Sequence, residues 1–196
     1  MSIRGHVTAA ALCACVVAGT PLAAKDEDKV DLKVGDKAPT FKATCDTGKE
    51  WKSSDHVGKK FLVIYFYPAD FTGGCTKQAC AFRDNAKALT DKGIEVVGVS
   101  GDSAKNHEQF KKDHKLDFTL LADEDGAIAK KFGIPVGKGG EVTVKDLDNL
   151  KIQRGVTISR WTVIIDKDGK VIHKEAVKAP DQDPKTVMEV IEKSGK

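Results

Sequence analysis

The sequence has no excess of charge of either sign: 32 basic residues face 29 acidic ones, for a formal net charge of +3. The two signs are interleaved along the chain as on a solvated surface. That balance excludes nucleic acid or an anionic membrane as the expected partner. The chain has no internal repeat and no low-complexity tract. No glycine-rich phosphate loop follows a strand-like run, so no nucleotide site is expected. His6, His56, His107, His114 and His173 are scattered and lack metal-ligand spacing, which leaves neither a metal nor a haem to be expected.

What is there begins with a composition boundary. Residues 7–24 contain no charged residue and are rich in Ala, Val, Leu and Cys, with Arg4 ahead of them and Lys25-Asp26-Glu27-Asp28-Lys29 behind. A short positive start, an apolar stretch and small residues before a polar segment form the secretory-signal pattern, with cleavage expected after Ala24. Gly19 and Pro21 interrupt the apolar stretch and argue against a membrane span. A competing reading takes Leu12-Cys13-Ala14-Cys15 as a lipoprotein site acylated at Cys15. The expectation is a signal peptide over residues 1–24 and one exported α/β domain over 25–196, long enough to fold around its own core.

Two of the five cysteines fall in that leader, leaving Cys45, Cys75 and Cys80. An odd number argues for a free or reactive thiol over a purely structural framework. Residues 61–67 are a continuous apolar run ending at Pro68, the signature of a strand covered on both faces. Residues 74–89 read as a helix with Ala79, Phe82, Ala86 and Leu89 at helical spacing. A second buried strand is expected over 94–100, a helix over 103–114 opening at Ser103, a short strand over 118–121 and a short helix over 126–132. Residues 161–165 and 171–177 flank a hairpin turn at Asp166-Lys167-Asp168-Gly169-Lys170, and 183–193 closes as a helix. That order predicts a mixed sheet with helices on both faces, a thioredoxin-like architecture. Residues 137–155, rich in Gly, Lys and Asp, read as a surface excursion holding a small hairpin.

The segment from Pro68 to Cys80 carries the chemistry. A buried strand ends at Pro68, and a short loop delivers Cys75 into the first turn of a helix, at the sheet edge where α/β folds place their sites. Backbone N–H groups and the positive end of the helix dipole favour a thiolate there, so a lowered pKa is expected. A thiolate attacks an O–O bond to give a sulfenic acid. Pro68, Thr72 and Cys75 stand at the offsets of the Pro-x-x-x-Thr/Ser-x-x-Cys pattern, and the stretch resembles the peroxiredoxins. Cys80 five residues on, followed by Phe82-Arg83-Asp84, resembles the bacterioferritin-comigratory-protein (Q-type) branch. The likeness extends from about residue 33 to the C-terminus, and residues 35–41 look like the family's N-terminal strand signature.

The resemblance implies a role for each position. Cys75 is the peroxidatic cysteine and Cys80 its resolving partner. The Thr72 hydroxyl accepts a hydrogen bond from the peroxide, Pro68 shields the sulfur, and Arg160 stabilises thiolate and leaving oxygen. The implied partners are a hydroperoxide and a thioredoxin-like reductant, with the chain a monomer or weak homodimer. Gly73-Gly74 departs from the family's Pro-Gly, and 137–155 is longer than the family leads one to expect. Read without the resemblance, Cys75 and Cys80 fit a structural disulfide or two core thiols, and Arg160 a surface arginine. Cys45 reads as a structural thiol with a lesser reading as a resolving cysteine, Trp161 as core, and Arg83 as a helix-surface residue with local ion pairs. Two competing functions are a disulfide reductase, which wants Cys-x-x-Cys, and a copper-binding assembly factor, which wants Cys-x-x-x-Cys and a distant histidine. In an intact helix, residues five apart lie roughly 8–9 Å apart at Cα, beyond the ~4.4–6.8 Å of a disulfide. Joining Cys75 to Cys80 therefore requires the helix start to unwind.

Overall fold

Phe61–Phe66 (β3) is buried along its whole length. It lies inside the central sheet of the computed structural model, which describes Met1 and residues 30–145 and 147–195. The expected leader, Met1 apart, and its Cys15 alternative lie outside the described residues. On one side β3 pairs parallel with Ile94–Ser100 (β4), which pairs parallel with Thr119–Ala122 (β5). On the other side it pairs antiparallel with Trp161–Ile165 (β8), and β8 antiparallel with Val171–Ala176 (β9). Lys42–Cys45 (β1) and Glu50–Lys52 (β2) form an antiparallel pair beyond β5, so the seven strands run β2-β1-β5-β4-β3-β8-β9. The expected mixed sheet is present.

Alternation along β3 sorts the core into two layers. Phe61, Val63, Tyr65 and Tyr67 join one cluster with Cys75, Ala79, Phe82, Phe110, Val187 and Ile191. These belong to helices Gly73–Asp84 (α1), Ala104–His114 (α3) and Asp183–Lys193 (α5). Leu62, Ile64 and Phe66 join the other with Ile128, Ala129 and Phe132, beside helix Ala127–Lys131 (α4). Burying each such large side chain is worth roughly 1.5–3 kcal/mol. Among the described residues no helix is long and apolar enough to cross a membrane.

The structure corrects two local expectations and extends a third, the hairpin expected within 137–155. The helix expected over 74–89 is two, α1 and Ala86–Asp91 (α2), parted at Asn85, whose φ −103° and ψ 6° leave the helical region while its side chain and its N–H both donate to the Ala81 carbonyl. Residues 35–41 form a turn, with Gly35 at φ +99°, and a single bridge from Lys37 to Lys170; the strand begins only at Lys42. The excursion is a two-stranded sheet of its own, Val136–Val144 (β6) and Leu150–Ile158 (β7). Its tip is exposed, but its root is docked against the body. Gly155 N–H donates to the Gly101 carbonyl at 2.9 Å, and Asn106 Nδ2 to the Gln153 carbonyl at 2.9 Å.

That root has no room for side chains. A Cβ on Gly101 would lie 2.1 Å from the Val156 carbonyl oxygen, and one on Gly155 would lie 2.0 Å from that of Glu124. Gly101→Ala is expected to cost about 1–3 kcal/mol of stability by overpacking, read as a lower midpoint in urea unfolding at unchanged slope.

Candidate active site

The Tyr67 N–H donates to the Val99 carbonyl at 3.0 Å, so β3 stays pinned to β4 up to the loop before α1. Pro68, partly buried, opens that loop and Thr72 closes it as the N-cap of α1. The Thr72 hydroxyl donates to the Ala69 carbonyl at 3.0 Å and caps no helix amide. Its oxygen lone pairs and the first-turn amides of α1 are thus free of side-chain capping. Cys75 stands third in α1, only 1% exposed.

Arg160, just before β8, brings the opposing charge. Its Nη2 donates to Cys75 Sγ at 3.1 Å and its Nη1 to Gln78 Oε1 at 2.6 Å. Gln78 Nε2 in turn donates to Asp183 Oδ2 at 2.7 Å, and the Thr162 hydroxyl donates to the same oxygen at 2.7 Å. Burial raises the Asp183 carboxyl above its ordinary value, against the donors Thr162 and Gln78. The fold thereby brings Cys75, Arg160 and Thr72 to one helix start. Sequence reasoning missed Gln78, Thr162 and Asp183, whose only trace is a polar residue on an apolar face. It also missed why residue 74 is glycine: a Cβ there would lie 3.2 Å from Arg160 Nη2.

Cys80 is partly buried on the same uninterrupted helix, and Cys45, Cys75 and Cys80 are all free thiols. Cys75 and Cys80 therefore cannot be joined while α1 stays intact. Cys45 belongs to the opposite core layer from Cys75. Burial pushes its thiol up, but Thr47, whose hydroxyl lies 3.1 Å from Sγ, and the backbone of Thr47 and Lys49 outweigh this, and the net direction is down. Trp161 is half-buried against the α4 layer. Arg83 makes the expected local pair with Asp84 at 2.8 Å and also donates to the His114 carbonyl of α3 at 2.6 Å.

Behind the loop lies a buried polar cluster that composition did not signal. Asp70 accepts from the Tyr67 hydroxyl at 2.7 Å and faces His107 Nδ1 at 2.8 Å, while its N–H donates to Asp102 Oδ2 at 2.9 Å. Ser100 donates to the same Asp102 oxygen at 2.7 Å. Asp70 and His107 are fully buried. Next to Asp70, Phe71 sits at φ +59°, a conformation costing on the order of 1–3 kcal/mol for a bulky residue. Burial disfavours the His107 cation, but the Asp70 carboxylate, then Asp102 and the Leu121 backbone, outweigh it and raise its pKa. The folded chain then holds this proton more tightly than the unfolded one. The pair's contribution is complete below the ordinary histidine value of about 6.5 and is lost as pH rises through the folded value. Urea midpoints should fall as pH rises above about 6.5, and His107→Gln should flatten that slope.

The AhpC/TSA family model matches residues 34–174. Chloroplastic peroxiredoxin Q of Oryza sativa subsp. japonica is 41% identical over 137 residues, covering 70% of this chain and 56% of that protein, so the chain spans about half the length of that relative. Peroxiredoxin Bcp of Bacillus subtilis is 38% identical over 144 residues, covering 72% of this chain and 83% of that one. The solved structure of peroxidoxin BcpB from Mycobacterium tuberculosis superimposes with a TM-score of 0.68 at 28% identity, over 82% of this chain and 97% of that one. With a buried cysteine at a helix start, an arginine on its sulfur and a second thiol five residues on, the chain belongs to the AhpC/TSA family, in its peroxiredoxin Q/Bcp branch.

Proposed function

We propose that the protein is a thiol-dependent peroxidase that reduces hydrogen peroxide and organic hydroperoxides at Cys75. The observation that carries this reading is the 3.1 Å contact from Arg160 Nη2 to a sulfur buried at the N-terminus of α1. The thiolate attacks one peroxide oxygen, an S–O bond forms and the O–O bond breaks. The departing oxygen takes a proton and leaves as water or an alcohol, and Cys75 becomes a sulfenic acid. Arg160 stabilises the charge that moves from sulfur to the leaving oxygen. Thr72, its own proton committed to Ala69, offers lone pairs to the peroxide O–H, and Pro68 shields the sulfur from water.

Resolution follows when the Cys80 thiolate attacks the sulfenic sulfur. The S–S bond forms, hydroxide leaves and is protonated, and a thioredoxin-like dithiol restores both thiols by exchange. The leader composition supports export to an extracytoplasmic space, which the reductant must also reach. Charge balance supports a chain with no nucleic-acid partner and no stable membrane association, acting as a monomer or weak homodimer. Neither the reductase nor the copper-chaperone spacing is present between Cys75 and Cys80.

Cys75→Ser is expected to abolish peroxide consumption, and an active variant would overturn the assignment. Cys80→Ser should still consume one equivalent of peroxide and accumulate a Cys75 sulfenic acid, detected as a +16 Da adduct or by dimedone trapping. The oxidised wild type should contain a Cys75–Cys80 bond with the first turns of α1 unwound. An oxidised structure with both the bond and an intact helix would refute that step.

A further inference from the structure

The peroxide-binding loop is held from behind by groups that do not touch the sulfur. Asp70 lies two residues before Thr72 and five before Cys75. Its contacts reach three separate elements: Tyr67 at the end of β3, Asp102 in the turn after β4, and His107 within α3. Thr72 is fixed on the other side by the helix it caps and by its hydroxyl on Ala69. Between two fixed points the chain has to turn at one residue, and it does so at Phe71 with φ +59°. The Phe71 ring is lodged against Phe110 and His114 of α3, at centroid distances of 5.0 and 5.9 Å. A non-glycine residue keeps such a backbone only where its surroundings over-determine it.

A buried ion pair is weak evidence for stability, because desolvating two charges cancels most of their attraction. Its use is better sought in the geometry it enforces. From this arrangement we propose that Asp70, clamped by His107 and Asp102, is a positioning residue for the peroxide step: it locks Phe71 in the left-handed conformation and so sets where the Thr72 hydroxyl stands relative to Cys75. This rests on the reading of Cys75 as the peroxidatic cysteine. Asp70 acts through Phe71 and Thr72. Its loss should affect an oxidant that must be held by Thr72, and not a reagent that needs only a reactive sulfur. Misplacing a binding group by about 1 Å costs on the order of a hundredfold in rate.

The test compares two reactions of Cys75 in the reduced full-length protein. One is the second-order rate with hydrogen peroxide by stopped flow, and the other is alkylation by iodoacetamide, followed at the Cys75 peptide by mass spectrometry. Asp70→Asn keeps the shape and removes the charge. It should slow the peroxide reaction by roughly 10- to 100-fold and leave alkylation within about twofold. Peroxide rates within twofold of wild type would overturn the proposal, as would a parallel change in both reactions. Should Asp70→Asn fail to fold, Tyr67→Phe removes a single donor to Asp70 and keeps the ring; it should shift the ratio of the two rates in the same direction, and an unchanged ratio refutes the proposal. A wild-type protein that alkylates at Cys75 but ignores peroxide would instead overturn the underlying peroxidase reading.

Discussion

Everything at the reacting end of this molecule depends on one positive group being held against one sulfur inside the protein. A buried sulfur facing a half-buried guanidinium has to be matched by further polar partners, because unpaired polar groups away from water are costly. The structure meets this by placing Arg160 on Cys75 and then satisfying the arginine's second branch with Gln78. Gln78 could rotate its amide and lose that orientation. Asp183, reached from the last helix, accepts from its nitrogen and so fixes which end faces the arginine. The carboxylate is itself held by Thr162 on the neighbouring strand. Four side chains from α1, α5, β8 and the residue before β8 thus act as one support.

On the proposed resolution step, the same helix start has to be both firm and expendable. Its first eight residues are Gly73, Gly74, Cys75, Thr76, Lys77, Gln78, Ala79 and Cys80, and of these only Cys75 and Ala79 belong to the hydrophobic core. The first large apolar anchor of α1 is Phe82. Opening two turns therefore exposes little apolar area, on the order of one or two small side chains, while Phe82 keeps the rest of the helix seated. Two glycines at the front lower the barrier to non-helical backbone. The polar chain through Gln78 ties this start to Arg160 and Asp183.

Much of this was legible from the chain. β3 and β4 were readable because a strand covered on both faces needs an unbroken apolar run. The placement of Pro68, Thr72 and Cys75 about one helix start was readable because they sit on one short segment between a buried strand and a helix. Arg160 needed the family likeness, since nothing local marks it. Gln78 and Asp183 were not readable: they meet across 105 residues, and polar residues on helices are ordinarily solvated. Asp70 looked like any loop aspartate before its partners on α3 and after β4 were known. β1 and β2 were missed because short, partly exposed strands carry little periodic signal, and the helix break was missed because the apolar spacing of Phe82, Ala86 and Leu89 runs straight across Asn85.

The docked root of the β6–β7 hairpin has an evolutionary consequence. Gly101 and Gly155 bring two backbones into direct contact beside Asp102, whose backbone bridges to Arg154. The strands beyond that seam touch little else, so length and composition at the far end are free to drift without disturbing the catalytic loop. The seam thereby separates the tip of this appendage from the loop before α1.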